Sequence, residues 1–104
     1  MELQWGTEDE TGNVGFIIEK KLAGGGSATP WTSVRSYKDF APLNSQGSSG
    51  GSYTYIDDES TEGEWVYRVL ADETGGRKYS VCQVGVVIQS NSEQLQVTAS
   101  RGCV

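Results

Sequence analysis

The chain has 104 residues, 36% of them hydrophobic, and carries 8 Lys and Arg against 14 Asp and Glu for a formal charge of -6. That length fits one domain able to bury a single core, and the acidic balance repels phosphate backbones and anionic lipid, so neither nucleic acid nor a membrane is an expected partner. With no histidine and only Cys82 and Cys103, the usual zinc ligand sets have too few members, and no metal or other cofactor is expected.

In chain order, Glu2 to Thr7 places Leu3 and Trp5 on one parity and Glu2, Gln4 and Gly6 on the other, the pattern of a half-buried strand. Met1 to Trp5 contains no basic region and no apolar run, and no stretch reaches the 18 or so apolar residues of a membrane span, so a soluble chain is expected, any targeting signal removed or never present. An acidic turn, Glu8 to Asn13, leads to a second strand in which Val14, Phe16 and Ile18 alternate with Gly15, Ile17 and Glu19, ending at Lys21. Ala23-Gly24-Gly25-Gly26-Ser27 supplies a reversal into a third strand over Pro30 to Tyr37, with Pro30 at its start or on a sheet edge.

Ala41 to Ser52 contains Pro42, Asn44, three glycines and four serines; with almost nothing to bury, it is expected to be the most mobile loop. Tyr53 to Asp57 is β-rich and alternating. The acidic turn Asp58 to Gly63 leads into the strongest signal in the chain, Glu64 to Glu73, where Trp65, Tyr67, Val69 and Ala71 fall on one face and Val66, Arg68, Leu70 and Asp72 on the other. Gly75-Gly76 marks a hairpin into Tyr79 to Gln89, with Cys82, Val84, Val86 and Ile88 on one face. Leu95, Val97 and Ala99 then give a weaker alternation before the end of the chain. Cys82 falls in a strand and Cys103 in a tail, which favours two free thiols over a Cys82–Cys103 disulfide.

Short strands at this spacing predict an all-β, two-sheet antiparallel sandwich. The series Leu3-Gln4-Trp5, Val14 to Lys20, Trp31 to Val34, Tyr53 to Asp57 and Tyr67 to Ala71 resembles a fibronectin type III domain in order and spacing, over about Glu2 to Gln89. The resemblance implies that Trp5 lies on strand B, Phe16 to Glu19 on C, Trp31 on C′ and Tyr67 to Ala71 on F, with all three tryptophans in the core. It also implies residues 1–90 as the sandwich and 91–104 as a C-terminal segment, an extra strand or a flexible tail.

Two departures from that family stand out. Trp65 occupies the place of the tyrosine whose hydroxyl ties the E–F corner to the backbone, and an indole N–H can donate but not accept. Strand A is missing, because the sequence starts at the equivalent of strand B. An unpaired B edge is an aggregation liability. Glu93 to Ser100 is a candidate replacement, within one molecule or by exchange with a neighbour to give a homodimer; the alternative is a disordered tail or a linker.

No motif supports catalysis. A Ser or Cys nucleophile has no histidine base, and none of the lysines stands in a Ser-x-x-Lys spacing, so no enzyme is expected. Glu8-Asp9-Glu10 and Asp57-Asp58-Glu59 with Glu62 and Glu64 lack the spacing of a calcium loop and read as solvated acidic turns. The three tryptophans could form a sugar-stacking platform, with Trp31 the best candidate. Each buried aromatic ring, however, contributes about 4–6 kcal/mol of gross stabilisation, which a small core can hardly forgo.

The outward face remains. Ile17, Glu19 and Lys21 on one strand, Val66, Arg68 and Leu70 on the next, and Val81, Gln83 and Val87 on the third are expected to face out. Glu19 would pair with Arg68 while Ile17, Val66, Leu70 and Val87 form an apolar patch. Such a patch rimmed by charge has the character of a protein-binding surface. The expected function is therefore a non-catalytic protein-interaction or spacer module with a protein partner; the alternative is a carbohydrate-binding module.

Overall fold

In the computed structural model of the protein, the residues described are 2–7, 10–24, 29–47, 49–58 and 61–88. Six strands account for most of them: β1 (Glu2–Thr7), β2 (Asn13–Leu22), β3 (Thr32–Ser36), β4 (Gly51–Ile56), β5 (Gly63–Glu73) and β6 (Lys78–Ile88), with one 3₁₀ turn at Ala41–Leu43. They form two antiparallel sheets, β1-β4 and β3-β2-β5-β6, packed as an all-β sandwich. The expected sandwich class is thus the observed one. The candidate replacement strand at 93–100, and the exchange between copies built on it, lie outside the described residues.

The core forms where alternation puts apolar side chains inward on both sheets. Leu3 and Trp5 from β1, Tyr53 and Tyr55 from β4, Phe16 and Ile18 from β2, and Tyr67, Val69 and Ala71 from β5 are all buried. Trp5 and Tyr53 are register partners on the small sheet and stack at 5.5 Å with 12° between ring planes. Phe16 rises from the large sheet to meet both edge-on, at 5.8 Å and 4.6 Å. Edge-to-face packing suits the aromatic quadrupole and adds about 0.5–1.5 kcal/mol per pair beyond the area buried, so this trio fastens one sheet to the other.

Turn chemistry fits the sequence. Gly75 and Gly76 both take positive φ, 97° and 89°, between β5 and β6, a conformation glycine adopts without steric cost. The Gly76 N–H donates to the Glu73 carbonyl at 2.9 Å, and the Glu73 N–H to the Arg77 carbonyl at 2.7 Å.

Four expectations are corrected. The stretch Ala41 to Ser52 does bury a residue, because the 3₁₀ turn drives Leu43 into the core at 0% exposure. The acidic turns are not simply solvated, since Glu10 is 4% exposed and Asp57 3%. Val81 is the extra residue of a β-bulge, where Val69 pairs with Cys82 but Leu70 with Ser80. A bulge breaks the period-2 alternation, and Val81 packs against the core instead of facing out. Finally, Cys82 is disulfide-bonded, not free; Cys103, the only other cysteine in the sequence, lies outside the described residues.

Two polar hubs complete the interior. The Glu10 carboxylate accepts hydrogen bonds from Thr7 Oγ1, from Ser45 Oγ at 2.5 Å, from the Gln46 N–H at 3.2 Å and from the Tyr53 hydroxyl at 2.7 Å. Burial by itself pushes this carboxyl up, but the donors from Ser45, Thr7, Tyr53 and Gln46 together outweigh it and hold the pKa below the ordinary value. Tyr53, buried and bonded to that carboxylate, is pushed up to about 12. At the opposite end, Asp57 accepts from the Tyr67 hydroxyl at 2.7 Å and from Lys20 Nζ at 3.0 Å.

Candidate interaction face

The outer face of the four-stranded sheet is set by register. Ile17 pairs with Leu70, Glu19 with Arg68 and Lys21 with Val66 between β2 and β5, while β6 sets Gln83 beside Arg68, Gly85 beside Val66 and Val87 beside Glu64. These residues share the parity opposite to the core residues Ile18, Tyr67 and Val69 and so project outward.

At the centre, Arg68 is held by Glu19. Its Nη2 lies 2.6 Å and its Nε 2.8 Å from Glu19 Oε1, so two guanidinium nitrogens converge on one carboxylate oxygen. The planar guanidinium also stacks on Trp31, with Cζ 4.0 Å from the ring centroid, and Lys21 Nζ approaches the same ring at 4.8 Å. Arg68 thereby meets an anion at its edge and an aromatic ring at its face, the two contacts for which a guanidinium is suited. Trp31 is half-buried and belongs to this outer cluster, which corrects its expected place in the core.

The expected apolar patch is divided. Ile17 and Leu70 stand on one side of the Glu19–Arg68–Gln83 row, and Val66 and Val87 on the other. Leu70 is only 9% exposed, whereas Val87 is 54% exposed. Leu70 is therefore a buried residue and not part of an accessible surface. Ile17 and Val66 are half-buried. The structure thus brings together Ile17 with Leu70 and Glu19 with Arg68, and separates both pairs from Val87.

Beyond Leu70 the face is closed by Tyr37. Its ring lies against Gly15, where an added Cβ would stand 2.6 Å from Tyr37 Cβ, and its hydroxyl donates to Asp72 Oδ2 at 2.8 Å. The bond to Asp72, together with burial, raises the phenol above its ordinary value. Lys78 lies 3.7 Å from the other Asp72 oxygen. Neither Tyr37 nor Asp72 stood out in the sequence. The available signal was Gly15, a glycine inside a strand, which often marks a close approach by another group.

Two shallow clefts open where β3 faces β4. One, of ≈ 220 Å³, is lined by residues including Lys20, Arg35, Tyr55 and Asp57; the other, of ≈ 370 Å³, by residues including Arg35, Phe40, Tyr55 and Asp58. The partition between them is Arg35, whose Nε donates to the Tyr55 hydroxyl at 3.3 Å and whose Cζ lies 5.3 Å from the Phe40 centroid. Lys20 and Asp57 already satisfy each other, so the polar lining is committed to the fold. Among the described residues no group of His, Cys, Asp and Glu could hold a metal ion.

Trp65 answers the question of the corner. Its Nε1 donates to the Thr61 carbonyl at 3.0 Å, so an indole ties the turn before β5 to the strand by donation. Lys20 Nζ sits 5.1 Å from the same ring.

Comparison with known proteins finds no match: no family model fits the sequence, and no curated protein and no solved structure is similar to it.

Proposed function

We propose that this chain is a non-catalytic interaction or spacer module of the fibronectin type III kind, and that its contact surface is the outer face of β3-β2-β5-β6. The family reading is supported by the strand order: the sheet holding β1 faces the one in which β3, β2 and β5 are neighbours, and β1, β2 and β5 carry the residues for which the resemblance implies strands B, C and F. The contact reading rests on one observation: Trp31, Arg68 and Glu19 form a mutually held cluster next to the half-buried Val66, beyond which the exposed Val87 stands diagonally across on β6. Aromatic and arginine side chains held in place by neighbours are the usual anchors of protein interfaces. The non-catalytic reading is supported by the engagement of the three carboxylates buried among the described residues, Glu10, Asp57 and Asp72, in structural hydrogen bonds.

Carbohydrate stacking is the weaker alternative. Arg68 already lies on a face of Trp31 at 4.0 Å, and a sugar stacking on that face would have to displace it.

The test is a Val66→Lys/Val87→Lys double variant compared with Thr54→Lys on the outer face of the other sheet. A protein captured by the unmodified chain and by Thr54→Lys, but lost by at least about tenfold in the double variant, supports the surface. Capture by all three alike refutes it. Tryptophan fluorescence that shifts with polysaccharide and not with Trp31→Ala would instead favour the carbohydrate reading.

A further inference from the structure

One inward position of the large sheet is an arginine. Arg35 on β3 is the register partner of Ile18, Ile18 of Val69, and Val69 of Cys82. The last three are buried, and residues paired across strands project from one face, so Arg35 points toward the small sheet where β3 faces β4. Two contacts set its guanidinium. Its Nε donates to the Tyr55 hydroxyl at 3.3 Å, and its Cζ lies 5.3 Å from the Phe40 centroid. That engages one N–H and one face of a group with five N–H donors. The Tyr55 contact, and after it the charges of Asp39 and Asp58, favour its protonated form. Among the described residues, however, Arg35 forms no ion pair.

Arg35 borders both clefts at this edge, and the two differ. The smaller is lined by the mutually satisfied Lys20 and Asp57; the larger, of ≈ 370 Å³, is lined by Arg35, Phe40, Thr54, Tyr55, Ile56 and Asp58. That volume falls within the range of about 300–1,000 Å³ typical of small-molecule sites. Its apolar wall is already in place, since Phe40 and Tyr55 meet edge-on at 5.6 Å and Ile56, next along β4, is 61% exposed. An exposed carboxylate, Asp58, completes the lining. A simple anion meets repulsion from Asp58 and from a chain of net charge -6; a simple cation meets Arg35. A ligand that carries both charges on an apolar body suits every part of the wall. We propose that this cleft binds the zwitterion of an apolar α-amino acid. Its carboxylate takes the Nη1–Nη2 fork, the part of the guanidinium that Tyr55 does not engage. Its ammonium faces Asp58, and its side chain covers Phe40 and Ile56.

The experiment titrates the complete chain with L-phenylalanine and follows the backbone amides by NMR. Saturable shifts are expected at Arg35, Phe40, Ile56 and Asp58, and none on the outer face of the large sheet. Each of three analogues removes one element of the ligand: phenylalaninamide the carboxylate, N-acetylphenylalanine the ammonium, and glycine the apolar side chain. Each is expected to bind at least about tenfold more weakly, as is L-phenylalanine to Arg35→Gln, because a charged hydrogen bond or a covered aromatic ring is worth that or more. No saturable shift with L-phenylalanine, any one analogue binding as tightly, or undiminished binding by Arg35→Gln would overturn the proposal. An arginine that serves only to cover the rim of the core gives the first of these results. The comparison of ligands needs no variant, so it stands even if Arg35→Gln fails to fold.

Discussion

Lys20 and Asp57 meet at 3.0 Å where the two sheets come together, the ammonium 14% and the carboxylate 3% exposed. The Glu19–Arg68 pair, 2.6 Å long, has side chains 20% and 26% exposed and lies on the outer face. Removing one partner of a buried pair strands a desolvated charge and costs about 3–5 kcal/mol, whereas more accessible pairs contribute about 0.2–1 kcal/mol. Lys20→Met is therefore expected to lower stability by about 3 kcal/mol, and Glu19→Gln by less than about 1 kcal/mol. Double-mutant cycles by urea denaturation check the contrast. Equal coupling energies for the two pairs would contradict the assignment of the first as interior.

The Glu10–Tyr53 hub makes stability fall at both ends of the pH scale. Because folding lowers the Glu10 pKa, the folded state holds fewer protons there, and the stabilisation is present above the ordinary carboxyl value of about 4.3 and lost as pH falls through the folded value. Folding raises Tyr53 instead, so its contribution is intact below the ordinary phenol value of about 10 and is lost as pH rises toward about 12. Urea midpoints measured from pH 2 to 12 should show both limbs. Glu10→Gln is expected to flatten the acid limb, and Tyr53→Phe the alkaline one.

Leu43 is an anchor. With 0% exposure, Leu43→Ala is expected to cost about 2–5 kcal/mol, the range for truncating a buried leucine. A cost below about 0.5 kcal/mol, the level of an ordinary surface substitution, would show that the 3₁₀ turn does not seat it in the core.

Gly15 is a contact glycine. A Cβ there would collide with the base of the Tyr37 side chain, which cannot move aside without loosening its bond to Asp72. Gly15→Ala is expected to cost about 1–3 kcal/mol, as overpacking does, and most of that cost should vanish in a Tyr37→Ala background. Thermal denaturation of the four proteins checks this, and strictly additive costs would rule the collision out.

What the sequence made legible was set by periodicity. Tyr67, Val69 and Ala71 are buried as their alternation requires, and the paired glycines mark the hairpin. The same logic misplaced Leu70 and Asp72, because period 2 divides a strand into faces without saying what crosses the outer one; here Tyr37 spans Gly15 to reach Asp72, a contact 35 residues apart. It misplaced Val81 because a bulge leaves no compositional mark. Leu43 was lost among serines and glycines, one apolar residue in a polar stretch having no period at all. Of the candidate face, the Glu19–Arg68 pair follows from register, whereas the stacking of Trp31 depends on the path of the chain before β3.

The cation held between Glu19 and Trp31 has an electrostatic consequence at long range. Along the outward parity of the large sheet, Glu19, Glu64 and Asp72 are matched by Lys21, Arg68 and Lys78, so this face is close to neutral while the chain as a whole carries -6. The excess negative charge lies elsewhere on the molecule. An acidic neighbour, including another copy of this chain, meets the least repulsion by approaching this side, and added salt should weaken that orientational bias before it alters any contact.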